Sequence, residues 1–342
     1  MMRVRGFSQR VVRASHLEKI EPLASERWSV SPLLGMEIKM SELSNFDINT
    51  ANYVITDYIR GITTRAIMYV NNGYPLHLRG PAGVGKTSLA IHIAKKLERP
   101  VLLICGSEDV NSENLIGSYS GMRKYFVEDN FITTVYKKEE MIKKTWNDGK
   151  LLNACKEGYT VIYDEFTRTP AQINNVFLPI LEEKIIDVPY GEGNTFVKIH
   201  PEFRIIFTSN PEEYVGVYHS PNALTDRMIT IDINNMDEET ERNIIMSKSG
   251  LNIEESFKIM KLSRYIKNKL KEMDYVSIRG GIMLAKVVRS SRIKMVPSNV
   301  VFRQITKDIF NSVNISMQLS EEKRKELERA VDEGIDLIFA NK

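Results

Sequence analysis

The eight residues Gly80-Pro81-Ala82-Gly83-Val84-Gly85-Lys86-Thr87 constrain this chain more than any other segment, because they require particular structure on either side. Three glycines let the backbone curl until successive N–H groups, together with the N-terminus of a following helix, face a run of phosphates. Such a loop works only between a strand that enters it and a helix that leaves it. The flanks agree: Tyr74 to Leu78 reads as a short strand, and Leu89, Ile93, Ala94 and Leu97 share one face of a helix beginning at Thr87. Lys86 supplies a point charge to the β- and γ-phosphates and Thr87 a hydroxyl to Mg²⁺, with Ser88 closing the cofactor-binding segment. ATP and Mg²⁺ are the expected ligands.

A nucleotide-bound Mg²⁺ needs a further acidic partner, and an attacking water needs a base. Thr160-Val161-Ile162-Tyr163-Asp164-Glu165 ends an apolar strand on such a pair. Asp164 is expected to hold the metal shell with Thr87, and Glu165 to orient or deprotonate the water. A third strand, Ile205 to Ser209, ends at Asn210, a neutral amide able to reach the γ-phosphate or the water without charge repulsion; as a plain alternative, Asn210 opens the turn before Pro211.

Further apolar runs at Val101 to Cys105 and Met228 to Ile233, separated by stretches able to form helices, predict a parallel sheet covered on both faces. Two segments break that rhythm. Tyr119 to Tyr136, with a turn at Glu128-Asp129-Asn130, and Lys184 to Ile199, with a turn at Gly191 to Asn194, read as inserted β-hairpins. A helix from about Ile55 to Val70 precedes the first strand. After Met236 the pattern is helical to the end: Asp237 to Ser247, Ile253 to Met273, Gly280 to Ser290, Pro297 to Val313, and Ser320 to Phe339 with Ser320 as its cap. The expected domains are a flexible basic arm over 1–45, a nucleotide-binding domain over 46–236 and a helical domain over 237–342. The arm is either a solvated tail or a docking segment for a partner or an anionic surface.

Composition excludes more than it suggests. No purely apolar run is longer than Val101 to Cys105, far short of the roughly 20 residues that span a bilayer, and no secretory apolar block follows the N-terminal arginines. No membrane span and a cytoplasmic location are expected. A net charge of +3 is too small to argue for nucleic acid. Cys105 and Cys155 read as small buried hydrophobes, and the histidines show no metal-ligand spacing.

Taken in order, the phosphate loop, Asp164-Glu165, Asn210, Asp226-Arg227 and the helical tail resemble an AAA+ ATPase of the MoxR group over roughly residues 45 to 320. The resemblance implies an α/β core whose five parallel strands run in the order 5-1-4-3-2, hairpin inserts facing a substrate, and a C-terminal helical lid. It implies ATP hydrolysis at a subunit interface of a homo-oligomer, a hexamer or something smaller in isolation. The arginine finger falls on Arg227 in Leu224-Thr225-Asp226-Arg227, and the lid arginine on Arg279 in Ser277-Ile278-Arg279-Gly280. Arg168 is the alternative trans-acting cation or an interface contact.

Longer strings resemble the gas vesicle N-protein family within that group: Leu76 to Arg79, Tyr163 to Phe166, Asn174-Asn175-Val176, Leu181 to Lys184 and His200 to Tyr214. Thr167 departs from it, standing where the family pattern has Asn. This resemblance implies an ATPase that remodels or chaperones gas vesicle assembly, associates with the vesicle and has shell or accessory proteins as partners. A MoxR-type activator of a metabolic enzyme, and a scaffold that binds ATP without hydrolysing it, remain open as alternatives.

Overall fold

The computed structural model describes residues 36–38, 53–129, 137–189, 195–210, 222–233, 236–270, 277–313 and 321–340. In chain order its elements begin with β1 (Met36–Ile38), α1 (Asp57–Asn71), β2 (Leu76–Arg79), α2 (Lys86–Lys96) and β3 (Val101–Cys105). There follow α3 (Ser112–Leu115), β4 (Gly117–Asp129), β5 (Lys137–Asp148), α4 (Lys150–Glu157) and β6 (Thr160–Asp164). After a single 3₁₀ turn at Phe166–Arg168 come α5 (Ala171–Asn174), α6 (Phe177–Glu182), β7 (Ile185–Val188), β8 (Thr195–Lys198), β9 (Arg204–Ser209), α7 (Asn222–Thr225) and β10 (Ile229–Asp232). The C-terminal helices are α8 (Glu238–Ser249), α9 (Ile253–Lys269), α10 (Ile278–Ser290), α11 (Val300–Val313) and α12 (Glu321–Phe339).

The main sheet runs β1-β3-β6-β9-β2-β10. Its five parallel strands, counted along the chain, stand in the expected order 5-1-4-3-2. The sixth strand is an addition: β1 pairs antiparallel with β3, Met36 opposite Leu103, inside the stretch read as a flexible arm. It closes an edge of unpaired β3 backbone that would otherwise face solvent.

Alternation along the strands builds two cores on one sheet. Val161, Tyr163, Ile205 and Phe207 point to one face, where they meet Leu151, Phe166 and Phe177. Ile162 and Ile206 point to the other, against Ile59, Ala66, Leu89 and Ile93 of α1 and α2. His77 lies buried in β2, with Nε2 at 2.8 Å from the Ser209 hydroxyl and Nδ1 at 3.1 Å from that of Thr230. Burial, helped by the Arg79 guanidinium, pulls its pKa down to about 4, so the ring is a neutral clamp across three strands.

A separate core forms among the C-terminal helices from Ile259, Leu262, Ile266, Leu284, Phe302, Phe310, Val331 and Ile335. Asn252 and Glu255 form a reciprocal capping box that starts α9. Close approach of α12 to α9 needs Gly334, where a Cβ would lie 2.8 Å from Leu262 Cδ1. The expected cap Ser320 lies outside the described residues.

Both expected hairpins occur, one of them displaced. β7 and β8 pair from Ile185–Lys198 to Val188–Thr195; their Gly191–Asn194 turn is outside the described residues. In the first hairpin Glu128 and Asp129, read as a turn, belong to β4 and stand opposite Lys138 and Lys137 of β5. The return strand, Lys137–Asp148, lies beyond the predicted segment. Its run of lysines and acids carries no apolar alternation, so nothing in its own sequence marks it as a strand. Tyr119, at the base of this hairpin, donates its hydroxyl to the Pro189 carbonyl beyond β7 at 2.8 Å, tying the two inserts together.

Candidate active site

The phosphate loop leaves β2 and enters α2 through two left-handed residues, Gly83 (φ 80°) and Gly85 (φ 85°), the second being the helix N-cap. Only glycine takes that conformation without steric cost. No side chain caps α2, so the first-turn amides remain available to an anion. Gly80 is needed for a different reason: a Cβ there would lie 2.1 Å from the Ile233 carbonyl oxygen. Lys86 is buried, with Nζ donating to the Gly80 and Pro81 carbonyls at 2.8 and 2.7 Å, under the loop it is to serve.

Gly83 carries a second constraint. A Cβ at this position would lie 2.7 Å from both Cβ and Oγ of Ser277, the residue that opens α10, so the helical domain packs directly on the loop. Gly83→Ala combines left-handed strain with that collision. It is expected to weaken binding of a fluorescent ATP analogue at least about tenfold, since strain of about 1–2 kcal/mol alone approaches that factor. Adding Ser277→Gly should recover the part due to the collision and leave the part due to strain.

β6 delivers the acidic pair beside the loop. The Thr87 hydroxyl lies 2.7 and 2.9 Å from the two Asp164 carboxylate oxygens. A hydroxyl and a carboxylate meeting this way form a hard oxygen set suited to Mg²⁺ carried on phosphates. Glu165 follows in the left-handed region at φ 52°, rare for a residue with a side chain. Its backbone N–H donates to the Thr208 hydroxyl at 2.9 Å, and the same hydroxyl donates to Asp164 Oδ1 at 2.5 Å. Gly106, after β3, makes room for this turn, because a Cβ there would meet the Glu165 carbonyl oxygen at 2.2 Å. Behind it, the Asn174 amide donates to the carbonyls of Phe166 and Thr169 at 3.1 and 3.3 Å, while the buried Tyr163 hydroxyl donates to Thr169 Oγ1 at 2.7 Å.

Between the loop and the helical domain lies a cavity of about 560 Å³. That volume falls within the range of small-molecule and cofactor pockets. The cavity is lined by loop residues 82–88 with Asp164, Glu165 and Arg168, and by the largely apolar side chains of Tyr53, Ile59, Met236, Ile244 and Ile282. Tyr53 stacks on His92 with ring centroids 4.5 Å apart, and burial raises its hydroxyl pKa. The helical domain contributes Lys248 and Arg279. It is anchored by a 2.5 Å contact between the buried hydroxyls of Thr56 and Thr240, and by Arg264, which pairs with Glu241 of α8 at 2.6 Å and donates to the Met236 carbonyl at 2.8 Å, outside the helical domain.

The structure therefore brings Lys86, Thr87, Asp164, Glu165 and Arg279 together around one cavity. Asn210 is buried at the end of β9, next to Ser209, whose carbonyl accepts from Gly80 N–H at 3.3 Å. Arg227 is not among the residues lining the cavity. Its guanidinium donates to Glu182 at 2.8 Å and to the Ala223 carbonyl at 2.6 Å, on the surface formed by α6 and α7. Arg168, weighed above as a trans-acting cation, lies in its own chain's cavity with Nε 2.9 Å from Glu165. Cys155 is buried as expected; Cys105 is exposed, because β3 ends there at the rim of the sheet, and partial burial followed by the Asp164 and Glu165 charges raises its thiol pKa. Thr208 is the site residue that motif reading missed. Its one signal is a hydroxyl after Ile205-Ile206-Phe207 in a strand otherwise apolar at its centre.

Residues 75–228 match the family of the AAA domain (dynein-related subfamily). The gas vesicle ATPase GvpN of Ancylobacter aquaticus is 37% identical over 281 residues, covering 82% of this chain and 79% of that protein. The gas vesicle ATPase GvpN of Haloferax mediterranei is 34% identical over 236 residues, 68% of this chain and 67% of that one. Similarity also extends to the protein NorQ of Paracoccus denitrificans, at 25% identity over 222 residues, 64% of this chain and 74% of the other.

Proposed function

The chain belongs to the GvpN family of gas vesicle ATPases, and from that premise we propose that it couples ATP hydrolysis to remodelling or chaperoning of gas vesicle assembly. The observation that carries this reading is the extent of the match to GvpN proteins, which runs well beyond the segment an ATPase core alone would require. The cavity and the inserts support it: Lys86, Thr87, Asp164, Glu165 and Arg279 line one cavity, and two β-hairpins are tied to each other by Tyr119.

In this reading Lys86 and the loop amides bind the phosphates, and Thr87 and Asp164 hold Mg²⁺. Bound there, Mg²⁺ neutralises phosphate charge. Glu165 orients or deprotonates the water, Asn210 contacts the γ-phosphate or the water, and Arg279 reaches in from the lid. Arg168 tethers Glu165 within its own chain. Arg227 acts on the nucleotide of a neighbouring subunit, which makes the active form a homo-oligomer of up to six chains. The working division of the chain is an arm over 1–45, the nucleotide-binding domain over 46–236 and the lid over 237–342. Among the described residues no helix is long and apolar enough to cross a membrane, and the proposed location is the cytoplasm, at the vesicle.

Similarity to NorQ favours a second reading, a MoxR-type activator of a metabolic enzyme. A pull-down of the full-length Glu165→Gln protein with ATP separates the two, because blocked hydrolysis prolongs the substrate-bound state. Capture of vesicle shell or accessory proteins that is lost with ADP is the expected result. Capture of a metabolic enzyme instead would replace the first reading with the second.

A further inference from the structure

We propose that Thr208 is a positioning residue that sets both members of the acidic pair, Asp164 through its carboxylate and Glu165 through its backbone. The inference rests on the roles assigned above to those two residues.

Thr208 is completely buried, and a buried hydroxyl must find partners for its proton and for a lone pair. Both partners lie in the site. The proton goes to Asp164 Oδ1 at 2.5 Å, and the Glu165 N–H comes in at 2.9 Å. The first contact fixes the rotation of a carboxylate that also receives the Thr87 hydroxyl, so Asp164 is gripped from β9 and from α2 at once. The second holds the left-handed turn at Glu165, whose φ of 52° decides where that side chain projects. Two residues on, just past the end of β9, stands Asn210. A single hydroxyl thus links the metal-side carboxylate, the base and the strand end that carries the amide.

Valine matches threonine in shape but lacks the hydroxyl, whereas serine keeps it. In the full chain, Thr208→Val is expected to lower kcat about ten- to hundredfold, the range of a lost hydrogen bond to a charged group. It should also raise the half-saturating Mg²⁺ concentration several-fold. Binding of an ATP analogue in EDTA should stay within about twofold of the parent, since Thr208 touches none of the phosphate-binding groups. Thr208→Ser should restore both kcat and the Mg²⁺ requirement. Parent-like kcat and Mg²⁺ dependence in the valine variant would overturn the inference, as would equal impairment of the serine and valine variants. If Thr208→Val does not fold, Thr208→Ala against Thr208→Ser gives the same contrast, and equal behaviour of those two would overturn it. Glu165→Gln run in parallel tests the premise: parent-like turnover there would refute the site assignment and this inference with it.

Discussion

Glu165→Gln is expected to bind ATP as tightly as the parent and to release phosphate at least about 10²-fold more slowly, the lower end of what a general base contributes. Glutamine keeps the size and shape of the side chain, so the turn at φ 52° and its hydrogen bond to Thr208 persist. What disappears is the negative charge able to polarise or accept a proton from water. The Arg168 ion pair disappears with it, but both side chains are more than a third exposed (43% and 38%), so that loss carries little stability. Lys86→Ala provides the contrast, because removing the buried cation under the loop should abolish tight binding itself. Single-turnover phosphate release with a parallel binding titration distinguishes the two variants. Turnover of Glu165→Gln within about threefold of the parent would move the base to another residue.

Both of these variants change residues that are visible in the sequence. Lys86 is legible because phosphate binding by backbone amides forces glycines and a lysine into a fixed short spacing, and the Asp164-Glu165 pair because it ends an apolar strand. Thr208 is not legible, since its role arises only when β6 and β9 pair in the register that puts Tyr163 beside Phe207 and brings the two strand ends together. The same holds for β1, a three-residue strand whose pairing with β3 is a tertiary event in an otherwise unpatterned stretch. β5 escaped notice for the opposite reason. Its charges read as a solvated segment, and only the long ladder to β4 makes them a strand. Sequence placed Arg168 near the acidic pair, but whether it faced its own site or a neighbour's depended on the 3₁₀ turn at Phe166–Arg168, which swings it back onto Glu165.

Arg227→Ala is expected to leave ATP binding intact and to reduce hydrolysis by about 10³-fold or more, the effect of a transition-state arginine in GTPases. The reason lies in where the side chain stands. In its own chain Arg227 is engaged by Glu182 and the Ala223 carbonyl and does not line its own cavity. On the proposed function, its contribution to chemistry is made to the nucleotide of another copy. Its pairing with Glu182, 57% exposed, is the kind of surface contact worth about 0–1 kcal/mol, enough to orient the guanidinium and too little to hold it against a phosphate. Mixing supplies the decisive measurement. Arg227→Ala subunits keep an intact phosphate loop, and Lys86→Ala subunits keep the arginine, so interfaces formed between them contain every catalytic group. Turnover should appear on mixing two inactive proteins and be greatest near equal amounts. Absence of recovery under conditions where subunits exchange would assign the stabilising cation to the chain's own site, where Arg168 already sits. Recovery would mean that an isolated chain holds ATP but lacks the cation to hydrolyse it rapidly, so that turnover begins when subunits meet.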